Sequence, residues 1–196
     1  MVRARVHPKL SIILPTLNEA QKLPLLLAEL TLINDDIEII IVDADSKDLT
    51  RLIGEIAGAK VLLSSQANRG YQLNYGSINA NGEWLLFLHA DSKLPRESSQ
   101  QLKDFIQSNQ EKGFAWFFNF RTNSKGMIFR LLEIAVFIRS NLLKIPYGDQ
   151  GLLISKELYE ATGGYKALHL MEDLEFVIRL SKKTSLPFII LSLSLW

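Results

Sequence analysis

The sequence predicts an α/β protein with an open, mostly parallel central sheet flanked by helices. Short apolar runs lack strict alternation, the habit of strands covered on both faces. Helical apolar spacing separates these runs. Strand and helix then alternate through about the first 110 residues, which favours right-handed crossovers in one sheet.

In chain order, Leu10 to Leu14, Ile37 to Val42, Val61 to Leu63 and Trp84 to Leu88 read as strands. Leu23, Leu26, Leu27 and Leu30 follow the i, i+3, i+4, i+7 spacing of one helix face, with Pro24 tolerated in the first turn. Leu49, Leu52, Ile53 and Ile56 repeat that spacing. Further on, Phe114 to Phe120 and Gly151 to Ile154 are strand candidates, and Gly126 to Lys144 and Met171 to Lys183 are helix candidates. A length of 196 residues suits a single domain, 1–196, with room for a substantial core.

The net charge of +1 provides no global field for nucleic acid, so no nucleic-acid partner is expected. Without cysteine, disulfide and thiolate chemistry are excluded, in keeping with a cytoplasmic setting. The apolar run after the basic amino terminus is too short for a signal-peptide core. Met127 to Ile145 carries Arg130, Glu133, Arg139 and Lys144, too many charges for a simple spanning helix. Its apolar residues read as core. The alternative is an interfacial helix that rests on the inner face of the membrane and serves a lipid-linked acceptor.

Ligands of open α/β sheets bind outside the carboxyl ends of the strands. Three predicted strands end there in polar residues: Thr16-Leu17-Asn18-Glu19, Asp43-Ala44-Asp45-Ser46 and His89-Ala90-Asp91-Ser92. No G-x-G-x-x-G or G-x-x-x-x-G-K-[ST] cradle is present, so a bound nucleotide needs other anchors. Mg2+ or Mn2+ supplies one by bridging a carboxylate to diphosphate oxygens, and Asp91 is placed to hold it. Asp91 suits a turn or helix cap equally well.

Asp43 is the better candidate to face a base or ribose, with Asp45 or Ser46 capping a helix that begins near Asp48. Thr16-x-x-Glu19 also matches a capping box. Ala67 to Asn74 places Arg69, Gly70 and several amides ahead of a helix, a composition that suits phosphate, a base edge or a solvated helix start. Asp149 and Gln150 stand between glycines. Glu172 and Asp173 open a helix, where a carboxylate serves as a general base or simply complements the helix dipole.

Together the segments SIILPTLNEA, IIIVDADSKD, NRGYQLNYG, LLFLHADSKLP, PYGDQGLLISKELYEATGGY and LMEDLEFVIRL resemble the family 2 glycosyltransferases of the A-type fold, in their small bacterial single-domain branch. The resemblance implies inverting transfer from a nucleoside-diphosphate sugar to an acceptor hydroxyl. It implies a nucleotide-sugar pocket of Thr16, Asn18, Glu19, Asp43, Asp45, Arg69, Asn74, Ala90 and Asp91, with Asp91 holding Mg2+ or Mn2+. Asp173 would be the base, with Glu172, Asp149 and Gln150 on the acceptor side. Three positions depart from the family pattern. His89 replaces the first acid of the D-x-D motif, Asp45 stands where many members have glycine, and the chain stops at LSLSLW where members continue.

Two other functions compete. A nucleotide-sugar-binding protein without turnover is suggested by His89 and the short carboxyl end. A sugar-phosphate nucleotidyltransferase would favour a glycine-rich basic loop after the first strand, which LPTLNEAQKL lacks.

Overall fold

At the centre of the sheet lies β1 (Leu10–Thr16), whose run of aliphatic side chains is buried from both faces. The computed structural model describes residues 8–33, 36–107, 113, 115–120, 151–183 and 189–195. Among the described residues the other strands are β2 (Ile37–Asp43), β3 (Lys60–Leu63), β4 (Trp84–Phe87), β5 (Ala115–Phe120), β6 (Leu152–Ser155) and β7 (Ile189–Leu195). Their order across the sheet is β3-β2-β1-β4-β6-β5-β7. β3, β2, β1 and β4 pair in parallel, β6 is antiparallel to both β4 and β5, and β7 pairs in parallel with β5.

The chain steps outward from β1 to β2 and β3, then returns to the other side of β1 as β4. That reversal is a topological switch point, where the crevice beyond the strand ends receives ligands. The antiparallel β6 starts at Leu152 opposite Phe87, so it begins at the end of the sheet where β4 finishes.

The helices are α1 (Leu23–Leu30), α2 (Thr50–Ile56), α3 (Arg69–Ile78), α4 (Arg96–Gln107), α5 (Lys156–Thr162) and α6 (Glu172–Lys183). Leu23, Leu26, Leu27 and Leu30 are all buried against one sheet face, as their spacing predicts. They join Leu10, Ile12 and Leu14 and the edge-on rings of Trp84, Phe105 and Trp116. On the other face Ile13, Val42, Leu73 and Phe87 meet Tyr159, Tyr165 and Phe176. Alternate residues of β1 thus feed two cores, the arrangement that non-alternating apolar strands imply.

Several local expectations fail for identifiable reasons. α2 does not bury the apolar face read from Leu49, Leu52, Ile53 and Ile56; Leu49, Leu52 and Ile56 are exposed, while Thr50 and Gly54 are buried. A Cβ at Gly54 would sit 2.5 Å from Ile41 Cδ1 and 3.1 Å from Val61 Cγ2, so the helix packs through its smallest residue. α3 begins inside the Ala67 to Asn74 segment rather than after it, because Asn68 caps it by accepting from Tyr71 N at 2.9 Å. α4, α5 and β7 were not assigned from sequence. For α5 the signals are Ser155, whose Oγ accepts from Leu158 N, and Gly163, whose φ of 88° ends the helix. The helix expected at Gly126 to Lys144 lies outside the described residues. No helix among the described residues is long and apolar enough to cross a membrane.

Candidate active site

The loops after β1 and β2 are clipped together by their own polar groups. Asp43, fully buried, accepts from Ser46 N at 2.8 Å, Ser46 Oγ at 2.5 Å and Thr16 Oγ1 at 3.0 Å. Asn18 N donates to Ser46 Oγ, Lys47 N donates to Asn18 Oδ1, and Glu19 N donates to Thr50 Oγ1, each at 2.8 Å. Gln72 reaches up from α3 to donate to Thr16 O and Val42 O. These bonds satisfy backbone groups exposed where the strands end.

The capping expectations are therefore corrected. Thr16 bonds Asp43 and α1 starts only at Leu23, so Thr16-x-x-Glu19 forms no capping box. Neither Asp45 nor Ser46 caps α2, which starts at Thr50 with Asp48 Oδ1 accepting from Thr50 N. Asp45 is exposed, pairs with Lys47 and has a φ of 64°. That left-handed conformation favours glycine and tolerates aspartate.

Across the switch point, Asp91 Oδ2 lies 3.2 Å from Lys22 Nζ, with Glu19 Oε2 3.9 Å from the same ammonium. Burial raises the Glu19 carboxyl above its ordinary range against the pull of Lys22, and the Asp91 bond raises the Lys22 ammonium. Ala90 is buried beside Asp91, whose side chain stays 38% exposed. Among the described residues no three His, Cys, Asp or Glu side chains gather as a metal cluster. One or two carboxylates around a single cation nonetheless fit Mg2+ or Mn2+, which draw their other ligands from water and substrate phosphates. Asp91, supported by Glu19, is the holder these residues offer.

Around Asp173 the acids meet their strongest partner. Arg69, in the first turn of α3, donates through Nη1 to Glu172 Oε1 at 2.8 Å and to Asp173 Oδ2 at 2.6 Å. Both acids are buried, at 7% and 6% exposure, in the first turn of α6. Burial raises the Asp173 carboxyl; Arg69 opposes this and Glu172 adds to it. Tyr165 is buried beside Asp173, and burial first and then the Asp173 charge push its hydroxyl well up. Among the described residues, Asp173 Oδ1 and Arg69 Nε are buried and meet no hydrogen-bond partner. Both residues line a cavity of about 10 Å³ that also touches Leu88, three residues before Asp91.

Backbone placement sustains this contact. Gly70 has no side chain where α3 crosses Lys166; a Cβ there would overlap the Lys166 carbonyl. Asn68 Nδ2 donates to Leu168 O at 2.8 Å, and Arg179 donates to Thr162 O and Gly164 O. Met171, immediately before the acids, has a φ of 66°, a strained conformation for a residue with a long side chain. His169 is exposed.

The structure brings Thr16, Asn18, Glu19 and Asp43 together at one group of strand ends, with Asp45 at its rim and Asp91 across the crevice. Arg69 instead belongs with Glu172 and Asp173. Asn74 accepts from Tyr159 OH at 3.3 Å, on the side of α3 that faces α5. Asp149 and Gln150 lie outside the described residues. Lys22, Gln72 and Tyr165 were not singled out; Gln72 lies among the amides of NRGYQLNYG and Tyr165 follows Gly163-Gly164 in PYGDQGLLISKELYEATGGY, both segments already noted.

The open, mostly parallel sheet flanked by helices is the A-type fold of the nucleotide-diphospho-sugar transferases. The chain belongs to the glycosyl transferase family 2, whose model matches residues 11–168. It is 27% identical over 185 residues to an uncharacterized glycosyltransferase of Haemophilus influenzae, covering 90% of this chain and 63% of that one. Among solved structures, S. aureus TarS matches with a TM-score of 0.75 at 20% identity, over 94% of this chain and 35% of TarS. Glucosyl-3-phosphoglycerate synthase of Mycobacterium tuberculosis, solved with Mn2+, UDP and glucosyl-3-phosphoglycerate, matches with a TM-score of 0.72 at 18% identity, over 94% and 70% of the two chains. The chain spans less than two thirds of the length of the curated relatives it matches.

Proposed function

We propose that the protein is an inverting glycosyltransferase that moves a sugar from a nucleoside-diphosphate sugar to an acceptor hydroxyl. The observation that carries this reading is the buried Asp173, held by Arg69 in a cavity whose lining includes Phe87, the last residue of β4, and Leu88 after it. The donor diphosphate lies at the switch point, with its nucleoside toward the loops held by Asp43. A divalent cation on Asp91 supplies positive charge for the departing diphosphate. Glucosyl-3-phosphoglycerate synthase, solved with Mn2+ and UDP, supports a uridine nucleotide as the first donor to try.

Asp173 receives the proton of the acceptor hydroxyl as that oxygen bonds to the anomeric carbon and the bond to the diphosphate breaks. Inversion follows from this single displacement. Burial suits Asp173 to the task because it raises the carboxyl and so strengthens it as a base, while the Arg69 charge opposes that rise. Lys22 Nζ pairs with Asp91 Oδ2 at 3.2 Å, so a cation held by Asp91 would compete with it for that carboxylate.

A thermal-shift panel of UDP-, GDP-, ADP-, CDP- and dTDP-sugars, with and without Mn2+, tests the assignment. A ligand that binds only the native state raises Tm. Stabilisation by one donor class, enlarged by Mn2+, is expected. A folded protein stabilised by none of them would contradict the reading.

A further inference from the structure

Arg69 was expected in the nucleotide pocket, yet its guanidinium is committed elsewhere. A single nitrogen, Nη1, contacts carboxylates from two adjacent residues of α6. The side chain is one third exposed while both acids are nearly closed off from water. The contact leaves Asp173 asymmetric: Oδ2 is bound by Arg69, the Tyr165 hydroxyl lies against the carboxyl, and Oδ1 is buried and meets no hydrogen-bond partner among the described residues. A carboxylate clamped through one oxygen presents the other in a fixed direction.

We propose that Arg69 is the positioning residue of the base, pinning Oδ2 of Asp173 so that Oδ1 is the atom that takes the acceptor proton. This inference rests on the glycosyl-transfer reading. In the reaction the acceptor O–H bond breaks, its proton goes to Oδ1, the acceptor oxygen bonds the anomeric carbon, and the diphosphate leaves with its bonding pair. Arg69 acts through Asp173 and touches neither sugar.

Among the described residues, the charged and titratable groups facing Asp173 are Arg69 from α3, Tyr165 from the segment between α5 and α6, and Glu172 from α6 itself. Of these, Arg69 alone is cationic. Its removal leaves two adjacent acids and a phenol, so the pair must bind a proton more tightly. The pH above which the base is ionised then rises, and the acid limb of the rate profile moves with it.

The test uses the full chain with Arg69→Gln and Arg69→Lys. The Asp173 carboxyl is titrated by carbon-13 NMR without ligand and assigned by its loss in Asp173→Asn. The expected result is a midpoint raised by about 1–3 pH units in Arg69→Gln, with Arg69→Lys between it and wild type. UDP affinity, measured with Mn2+, is expected to stay within about threefold of wild type, under 0.7 kcal/mol by the factor-of-ten conversion. Where Arg69→Gln does not fold, the Arg69→Lys titration decides alone.

An unchanged Asp173 midpoint overturns the proposal, as does a large loss of UDP affinity with the titration unmoved, which would return Arg69 to the nucleotide pocket. With the donor found in the panel, the acid limb of kcat is expected to shift by the same interval as the midpoint. A protein that binds no sugar nucleotide while its Asp173 midpoint still responds to Arg69 would sink the glycosyl-transfer reading and leave the electrostatic clamp standing.

Discussion

Gly70→Ala is the substitution most informative about how the fold assembles the acid pair. The new methyl would overlap the carbonyl oxygen of Lys166 and sit 3.1 Å from its carbon and 3.2 Å from Glu172 Cβ. Backbone stands on one side and the acid pair on the other, so no flexible side-chain end can swing away. Overpacking against backbone falls at the upper end of about 1–3 kcal/mol, against which alanine's better helix propensity returns about 1. The net loss of up to about 2 kcal/mol corresponds to a Tm lowered by up to about 4–8 °C in a chain of this size.

Relief of the overlap requires α3 and the Lys166 segment to separate, and Arg69 is the next residue along α3. A displacement of about 1 Å at a reacting group can lower turnover about 100-fold. Differential scanning calorimetry and donor turnover measure the two effects. Gly54→Ala is the control, since its Cβ would meet side-chain ends, Ile41 Cδ1 and Val61 Cγ2, and no backbone. Wild-type Tm and wild-type turnover in Gly70→Ala would refute the argument that close approach at this glycine places the acid pair.

Other perturbations follow from the same contacts. Asn68→Ala removes both the cap to Tyr71 N and the bond to Leu168 O, about 1 kcal/mol each, and should lower Tm by about 4–8 °C in thermal denaturation. Burial raises the Glu38 carboxyl, but bonds from Ser11, Asn81 and Gly82 outweigh it and hold the group below its ordinary value of 4.5. Its stabilisation is therefore full above pH 4.5 and lost as the pH falls through the lower folded value, so Glu38→Gln should be less stable at neutral pH and converge with wild type in acid denaturation. Lys22→Ala should hardly change Tm, because the pair is exposed, but should lower the Mn2+ concentration that half-saturates the UDP-dependent shift; a higher one would contradict competition at Asp91.

How far the sequence reached depended on the range of the interaction. Apolar strands and the Leu23, Leu26, Leu27 and Leu30 face were legible because burial imposes local periodicity. The strand-end acids were legible because a ligand crevice follows from sheet topology. α2 misled because its closest approach to the sheet uses a glycine, which hydropathy does not register. Arg69 was placed with the nucleotide because its neighbours in sequence are glycine and amides, whereas its partners Glu172 and Asp173 lie 103 and 104 residues away. Lys22 had no signal at all, since its place beside Asp91 depends on how the β1 and β4 ends face each other across the switch point.

Asp173→Asn, assayed for donor turnover and for UDP binding in the presence of Mn2+, tests the central claim most directly. Loss of the base should lower kcat by about 100- to 10,000-fold while UDP affinity stays near wild type. Turnover within a few-fold of wild type, in a folded variant, would show that Asp173 is not the base.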